Sequence, residues 1–387
     1  MEIKNLTKAA VRIREAAEHK ERIILYSDSD LDGISSLIIL GEAIKSLGGT
    51  VAANVFPNRE HDGYGITEKA LAELKHFTPA ILVVTDLGIS NFEEVKLARK
   101  LGFEVIIIDH HEILGSVPEA DIVVDPKQPG DEYPFKFFAA CGLAFLTAKA
   151  MLGQKLSPAL ERSFIELAAL GTVADMMPRQ QDNLLIIEQG TDAFFESWRP
   201  GIRAFLEREE ELVRESRQIA MEQMIGLLNV RDVEDGYPGG FRLLTTESVE
   251  EARAMVENFS QKTKIRRERV RQLAQEVRKR IAAKKEEPLV FEGDESFDYE
   301  LLGSVASIIT NEEVKPVFLF KKREEGSLGS ARAPSGFNTV QAMEHCKDLL
   351  ERYGGHPPAS GFRFKNENAE RFNTCLSEYF KIHERIL

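Results

Sequence analysis

Short apolar runs at residues 22–26, 51–56, 80–85 and 104–108 are separated by segments of helical periodicity such as 92–101, and this alternation constrains the chain more than any other feature. It is the βαβ rhythm of a parallel sheet, whose neighbouring strands need a crossover of a dozen or more residues, usually a helix. Three of the runs end in ionisable residues, in SDSDLDG, TDLG and DHHE. A doubly wound parallel sheet binds its ligands at the carboxyl ends of its strands, so the polar residues stand where that fold would use them. A fifth run, 122–124, leads into the turn-rich DPKQPGDEYP, after which 137–152 and 156–170 read as helices ending at GTVADMMP. The pattern predicts an α/β fold with a doubly wound parallel sheet.

A length of 387 residues exceeds what one compact domain usually holds. Residues 248–287 contain neither Pro nor Gly, and Val270, Leu273, Val277 and Ile281 recur at helical spacing, so one long helix ending at Pro288 is expected. Between Lys262 and Lys285 eleven Lys or Arg stand against Glu268 and Glu276, a net +9 that leaves −22 on the remainder. The strip is either the solvated outer face of a connecting helix or the lining of a polyanion groove. Beyond it, strand candidates at 289–291 and 317–320 and the glycine-rich GSLGSARAPSGFN and GGHPPASGF read as a separate, smaller α/β domain. The expected division is 1–242, a connecting helix at 243–287, and 288–387.

Hydrophobic residues make up 43% and charged residues 29%, which excludes a disordered chain. The net charge of −13 repels phosphate, so a nucleic-acid site must be a local basic patch or be built on metal. Cys141, Cys346 and Cys375 lie far apart without a C-x-x-C pair, which argues against a disulfide framework or a thiolate zinc site and for a reducing, cytoplasmic setting. The charged N-terminus and the lack of any long apolar run predict no export and no membrane association.

Asp28, Asp30 and Asp32 in SDSDLDG imitate the start of a calcium-binding EF-hand loop, but the twelfth position is Ile39 where a bidentate Glu is needed. One Asp there would be a helix cap; three crowd charge at a strand end, which cations must offset. Asp86 ends the next run, Asp109, His110 and His111 the following one, and Asp175 sits after a helix. Carboxylate and imidazole together suit Mn²⁺ or another first-row ion, and two ions sharing such a set form the recurrent arrangement for phosphodiester hydrolysis. If the strand ran on through them, His110 and His111 would point to opposite sides, one to metal and the other to substrate.

SDSDLDG, TDLG, DHH and GTVADMMP, in that order, resemble the four motifs of the DHH phosphoesterase superfamily. FPNREHDGYG, DEYPF followed by ACGLAF, GSARAPSGFN and GGHPPASGF resemble its RecJ-like exonuclease branch with a DHHA1 domain, over about residues 22–364. The resemblance implies two lobes joined by a long helix, with a di-manganese centre in the first; Mg²⁺ is the alternative ion. Carried over, Asp30 and Asp32 are metal ligands, Asp86 bridges the ions, His110 and Asp175 complete the second ion's shell, and His111 contacts the scissile phosphate. Arg59, Ser330, Arg332, Gly354, Gly355 and His356 would hold the nucleotide; without the resemblance the glycines would read as tight turns.

The chain departs from the family in having Tyr26 where the first motif begins with histidine. A phenol must lose a proton of pKa about 10 before it ligates well, so one ion is expected to be held weakly, with Asp28 on the same side compensating. The Pro pair before the last glycine, where the family commonly has an alanine pair, is of little consequence. A strand-gripping OB-fold, common in this branch, does not follow residue 387, so weaker grip is expected unless the basic helix substitutes. The function implied is 5′ to 3′ removal of mononucleotides from single-stranded DNA, with replication or repair proteins as partners. The alternatives are hydrolysis of oligoribonucleotides or cyclic dinucleotides, and a degenerate binding scaffold.

Overall fold

The computed structural model describes residues 2–57, 65–113, 115–284 and 287–383. These form two compact bodies, 1–261 and 262–387 by chain range. In the first, strands β1 (Ile23–Ser27), β2 (Val51–Val55), β3 (Ala80–Thr85), β4 (Phe103–Ile108) and β5 (Ile122–Val124) make one sheet in the order β2-β1-β3-β4-β5, every pair parallel. The chain leaves β1 toward β2 on one side and continues from β3 on the other, so the switch point lies between β1 and β3.

Strand alternation divides the apolar side chains between two cores. Ile23, Leu25, Ile81, Val83, Ile106 and Ile108 pack against helices α1 (Leu6–Glu18), α2 (Leu31–Ser46), α5 (Ala140–Leu152) and α6 (Pro158–Ala174). Ile24, Tyr26, Leu82, Val84, Val105 and Ile107 face α3 (Glu68–Leu74) and α4 (Phe92–Lys100). Helix α1 lies in the segment whose charges masked its stripe: Leu6, Ala9, Ala10, Ile13, Ala16 and Ala17 are buried at helical spacing. On the first face Arg199, 2% exposed, bonds Glu166 Oε1 at 2.9 Å, both Glu42 carboxylate oxygens at 2.9 and 2.8 Å, and Ser163 Oγ at 2.7 Å, so it ties α2 to α6. A minimal ladder of β6 (Val233–Glu234) and β7 (Tyr237–Pro238) follows.

The long helix runs from Val249 to Ala282 and stops short of Pro288, where the sequence placed its end. Ala252, Met255, Val256 and Phe259 belong to the core of the first body, and Val270, Ala274 and Val277 to that of the second. The second body has the sheet order β11-β12-β10-β9-β8, built from β8 (Val290–Asp294), β9 (Val317–Lys321), β10 (Ser327–Arg332), β11 (Arg352–His356) and β12 (Ala359–Phe364); only β8 and β9 pair in parallel. Val317 and Leu319 pack on the Tyr299–Glu313 helix, while Phe318, Phe320, Phe362 and Phe364 pack with Met343, Phe372 and Phe380 of the helices Thr339–His345 and Ala369–His383.

The cysteines correct the sequence reading. Cys346 and Cys375 form a disulfide across 29 residues, with Cα atoms 6.1 Å apart, and Cys141 is free and buried. Separation along the chain concealed the pair because it joins the residue after one helix, Thr339–His345, to another, Ala369–His383, over a shared aromatic core. Among the described residues no helix is long and apolar enough to cross a membrane.

Candidate metal centre

The carboxyl ends of β1, β3 and β4, at the switch point of the first sheet, carry the candidate centre. After β1 ends at Ser27, the chain turns through Asp28 to Asp30, the N-cap of α2, whose Oδ1 accepts from Gly33 N at 3.2 Å. Gly33 is required here: a Cβ would lie 2.4 Å from Asp28 O. Ser27 Oγ braces the turn by donating to Gly33 O at 2.8 Å and accepting from Thr85 Oγ1 at 2.7 Å. Asp32, in the first turn of α2, is 2% exposed, and its two oxygens accept from Cys141 N and Ala140 N, at 2.7 and 2.8 Å. It thus sits on the N-terminus of α5, where unpaired N–H groups and the helix dipole favour a negative charge.

Asp86 follows β3 with φ 59°, a left-handed conformation uncommon outside glycine and turned to use here by the Asp86 N to Ile108 O bond of 3.1 Å. Asp175 caps the end of α6. These groups converge. His110 Nε2 is 3.2 Å from Asp86 Oδ1 and 3.6 Å from both Asp32 Oδ2 and Asp175 Oδ2, and Asp28, Asp30 and Asp86 form an adjoining group with ligand atoms within 4.8 Å of one another. Burial first, then the surrounding aspartates, pushes the Asp86 carboxyl well up. Burial also raises Asp32 and Asp175, with Asp30 and Asp32 respectively adding repulsion. Acids so crowded and so dry accept either protons or cations, and oxygen donors mixed with imidazole nitrogen fit a first-row divalent ion.

β4 ends at Ile108, so strand alternation does not separate the two histidines as expected; their rings lie 4.6 Å apart. Their partners separate them instead. Asp109, fully buried, accepts from His111 Nδ1 at 2.7 Å, His110 N at 2.7 Å and Ile89 N at 3.0 Å. Burial works against a charged His111, but Asp109 outweighs it and lifts the imidazolium to about 9. The sequence places Asp109, the first letter of DHH, at this strand end but assigns it no role. Sequence reasoning passed over Lys127, whose Nζ donates to His110 O at 2.7 Å and pairs with Glu112 at 2.9 Å. The lone signal was its place in DPKQ after β5.

Tyr26 takes no place in this group. It faces the α3–α4 core and donates to Gly65 O at 3.1 Å. Asp28 is nevertheless grouped with Asp30 and Asp86.

The remaining expected residues lie in the second body, apart from Arg59, which falls outside the described residues. Register aligns Ser330, Gly361 and Gly354 across β10, β12 and β11, making a strip almost without side chains. Gly355 has φ 133°, and a Cβ there would lie 2.6 Å from Ala359 O. Arg332 Nη1 bonds Ser330 Oγ at 2.9 Å and Ala331 O at 2.8 Å, and burial lowers its pKa. His356 ends β11 opposite Ala359.

The family model of the DHH family N-terminal domain matches residues 22–172, and that of the DHHA1 domain matches 286–382. The single-stranded-DNA-specific exonuclease RecJ of Bacillus subtilis is 31% identical over 97% of this chain and 48% of its own length. RecJ of Thermus thermophilus is 30% identical over 97% of the chain and 54% of its own. The chain therefore spans about half the length of these curated relatives. A crystal structure of exonuclease RecJ bound to manganese aligns with TM-score 0.81 at 26% identity, covering 100% of this chain and 98% of that one. The Thermus thermophilus RecJ complex with Mn²⁺ aligns with TM-score 0.84 at 25% identity, over 99% of this chain and 55% of that one.

Proposed function

We propose that this chain, which belongs to the DHH/DHHA1 family in its RecJ-like branch, is a metal-dependent phosphodiesterase that removes mononucleotides from single-stranded DNA, 5′ to 3′. The observation that carries the reading is the convergence of Asp86, Asp32 and Asp175 on His110, with Asp28 and Asp30 grouped beside Asp86; Asp28, Asp32, Asp86 and His110 are buried, Asp30 and Asp175 half-buried. Asp28, Asp30, Asp32, Asp86, His110 and Asp175 would hold two divalent ions, Mn²⁺ or Mg²⁺. Bound there, the ions would supply Lewis acidity toward a phosphoryl oxygen and a water acidic enough to attack it.

The chain's own groups do the rest. Asp109 keeps His111 protonated and aimed, so the imidazolium can donate to a phosphate oxygen and offset charge developing on it. Lys127 fixes the peptide that carries both histidines. In the second body, the bare strip of Ser330, Gly361 and Gly354 admits a nucleotide close to the backbone, and Arg332, held by neutral oxygens of its own strand, supplies the charge for its phosphate. Arg59 and His356 complete the proposed contacts. Partners in replication or repair belong to the same proposal.

The test is product analysis in Mn²⁺ with end-labelled single strands, dinucleotides and cyclic dinucleotides. Mononucleotides from long strands, abolished by Asp86→Ala, are expected. Cleavage of dinucleotides alone would replace the exonuclease with a short-oligonucleotide enzyme, and no cleavage of any substrate would sink the enzyme reading.

A further inference from the structure

The body that carries the candidate centre repels its own proposed substrate. Residues 1–261 contain 27 Lys or Arg against 43 Asp or Glu, a net −16, whereas residues 262–387 carry 23 against 20, a net +3. Two divalent ions offset only a fraction of such a charge, so an enzyme of long single strands needs a separate cationic contact for the strand.

Nine of the eleven basic residues between Lys262 and Lys285 fall into two sets. Arg266 bonds Ser304 Oγ, Arg269 pairs with Asp298, Arg278 with Glu312, Arg280 with Glu276 and Asp294, and Lys284 with Glu292, so these side chains fasten the helix to its own body. Lys264, Arg267, Arg271 and Lys279 are exposed, and among the described residues no acceptor or carboxylate engages them. Their spacing of three, four and eight residues keeps them on one face, over about 22 Å of helix at 1.5 Å per residue. Gln275 lies within the stripe, Ile265, 61% exposed, borders it, and Glu268 is the acid that interrupts it.

We propose that Lys264, Arg267, Arg271 and Lys279 form a phosphate-tracking stripe that binds single-stranded nucleic acid independently of the metal centre. The inference rests on the reading of the chain as an enzyme of single strands and extends it to how the strand is held. Cationic side chains on flexible stems, Lys as point charges and Arg as planar forks, suit a backbone of repeating phosphates without reading sequence, and the exposed Ile265 offers an apolar surface to a base. The stripe acts on long strands; a dinucleotide is too short to use it.

The test is fluorescence anisotropy of a labelled homothymidine strand of about thirty nucleotides, longer than one typical single-strand site, with the full chain in EDTA over a range of KCl. Lys264→Gln, Arg267→Gln and Arg271→Gln combined should weaken binding by about tenfold or more and reduce the salt slope by about 2, at about 0.7 per lost phosphate contact. Glu268→Gln should tighten it. Hydrolysis of a dinucleotide in Mn²⁺ should be unchanged in the triple variant. A charge-matched control, Lys100→Gln, Lys365→Gln and Lys381→Gln, should leave strand binding as it was. An unchanged triple variant, a control that loses as much, or a parent that binds no strand would overturn the stripe. A parent that binds the strand through the stripe yet hydrolyses nothing would leave the stripe standing and remove the proposed activity.

Discussion

Asp109 shows how one buried carboxylate makes two neighbouring histidines unlike. It takes the His111 imidazole N–H and the His110 peptide N–H on the same oxygen, each at 2.7 Å, leaving His110 Nε2 to face the aspartates. Asp109→Asn removes the charge that outweighs burial at His111, whose pKa should fall from about 9 toward or below the ordinary 6.5. In a pH–rate profile the alkaline limb should move down; an unmoved limb would show that His111 does not need its charge. Asp28, Asp30, Asp32 and Asp86 were legible in the sequence because they follow apolar runs, and a parallel sheet gathers its strand ends; Asp175, at the end of α6, was legible from its motif. Asp109 was harder to read, since its task is to hold a neighbour rather than to face the cluster. Tyr26 lies on the strand face turned to the α3–α4 core, where its hydroxyl meets Gly65 O, a placement its position in the motif did not reveal.

Helices α2 and α6 supply Asp32 and Asp175, and Arg199 joins them at a point remote from both aspartates through Glu42 and Glu166. Arg199→Ala would strand two carboxylates, one of them 1% exposed, and should cost about 3–5 kcal/mol, as removal of one partner of a buried pair does. Urea unfolding measures this; a loss below about 1 kcal/mol, the scale of a surface pair, would show that water reaches the network. The disulfide works on the opposite body. Closing 29 residues, Cys346–Cys375 should contribute about 3–4 kcal/mol by restricting the unfolded chain. Cys375→Ser should therefore unfold at lower denaturant than the oxidised parent, and excess reductant should close that gap. The strand and helix pattern revealed nearly every element of the first sheet, including 122–124 residue for residue. Pairings between distant elements, such as Asp32 on the α5 N-terminus or the two cysteines, have no local signature, because packing alone brings them together.

Taken as a whole, the first body concentrates groups that bind protons more tightly folded than unfolded. Burial chiefly, with Asp109 adding repulsion, pushes Asp125 up to about 7; Asp32, Asp86 and Asp175 are also raised; and His111 stands at about 9. For such acids the stability is greatest below their unfolded pKa near 4 and declines as pH climbs toward the folded value. For His111 the contribution is complete below 6.5 and disappears through 9. All act in one direction, so without divalent ions the melting temperature should drop between about pH 5 and 9. Mn²⁺ should raise it and flatten the curve, because cations take over from protons. A metal-free melting temperature that rose with pH would contradict the buried cluster. The Val249–Ala282 helix bears on how the molecule can be shortened. A fragment stopping at residue 247 forfeits Ala252, Met255, Val256 and Phe259 from one core, while a fragment starting at 288 forfeits Val270, Ala274 and Val277 from the other. Neither half can be excised at the ends of that rod without leaving an open wound of bare hydrocarbon, so a soluble piece of either must take the shared rod with it.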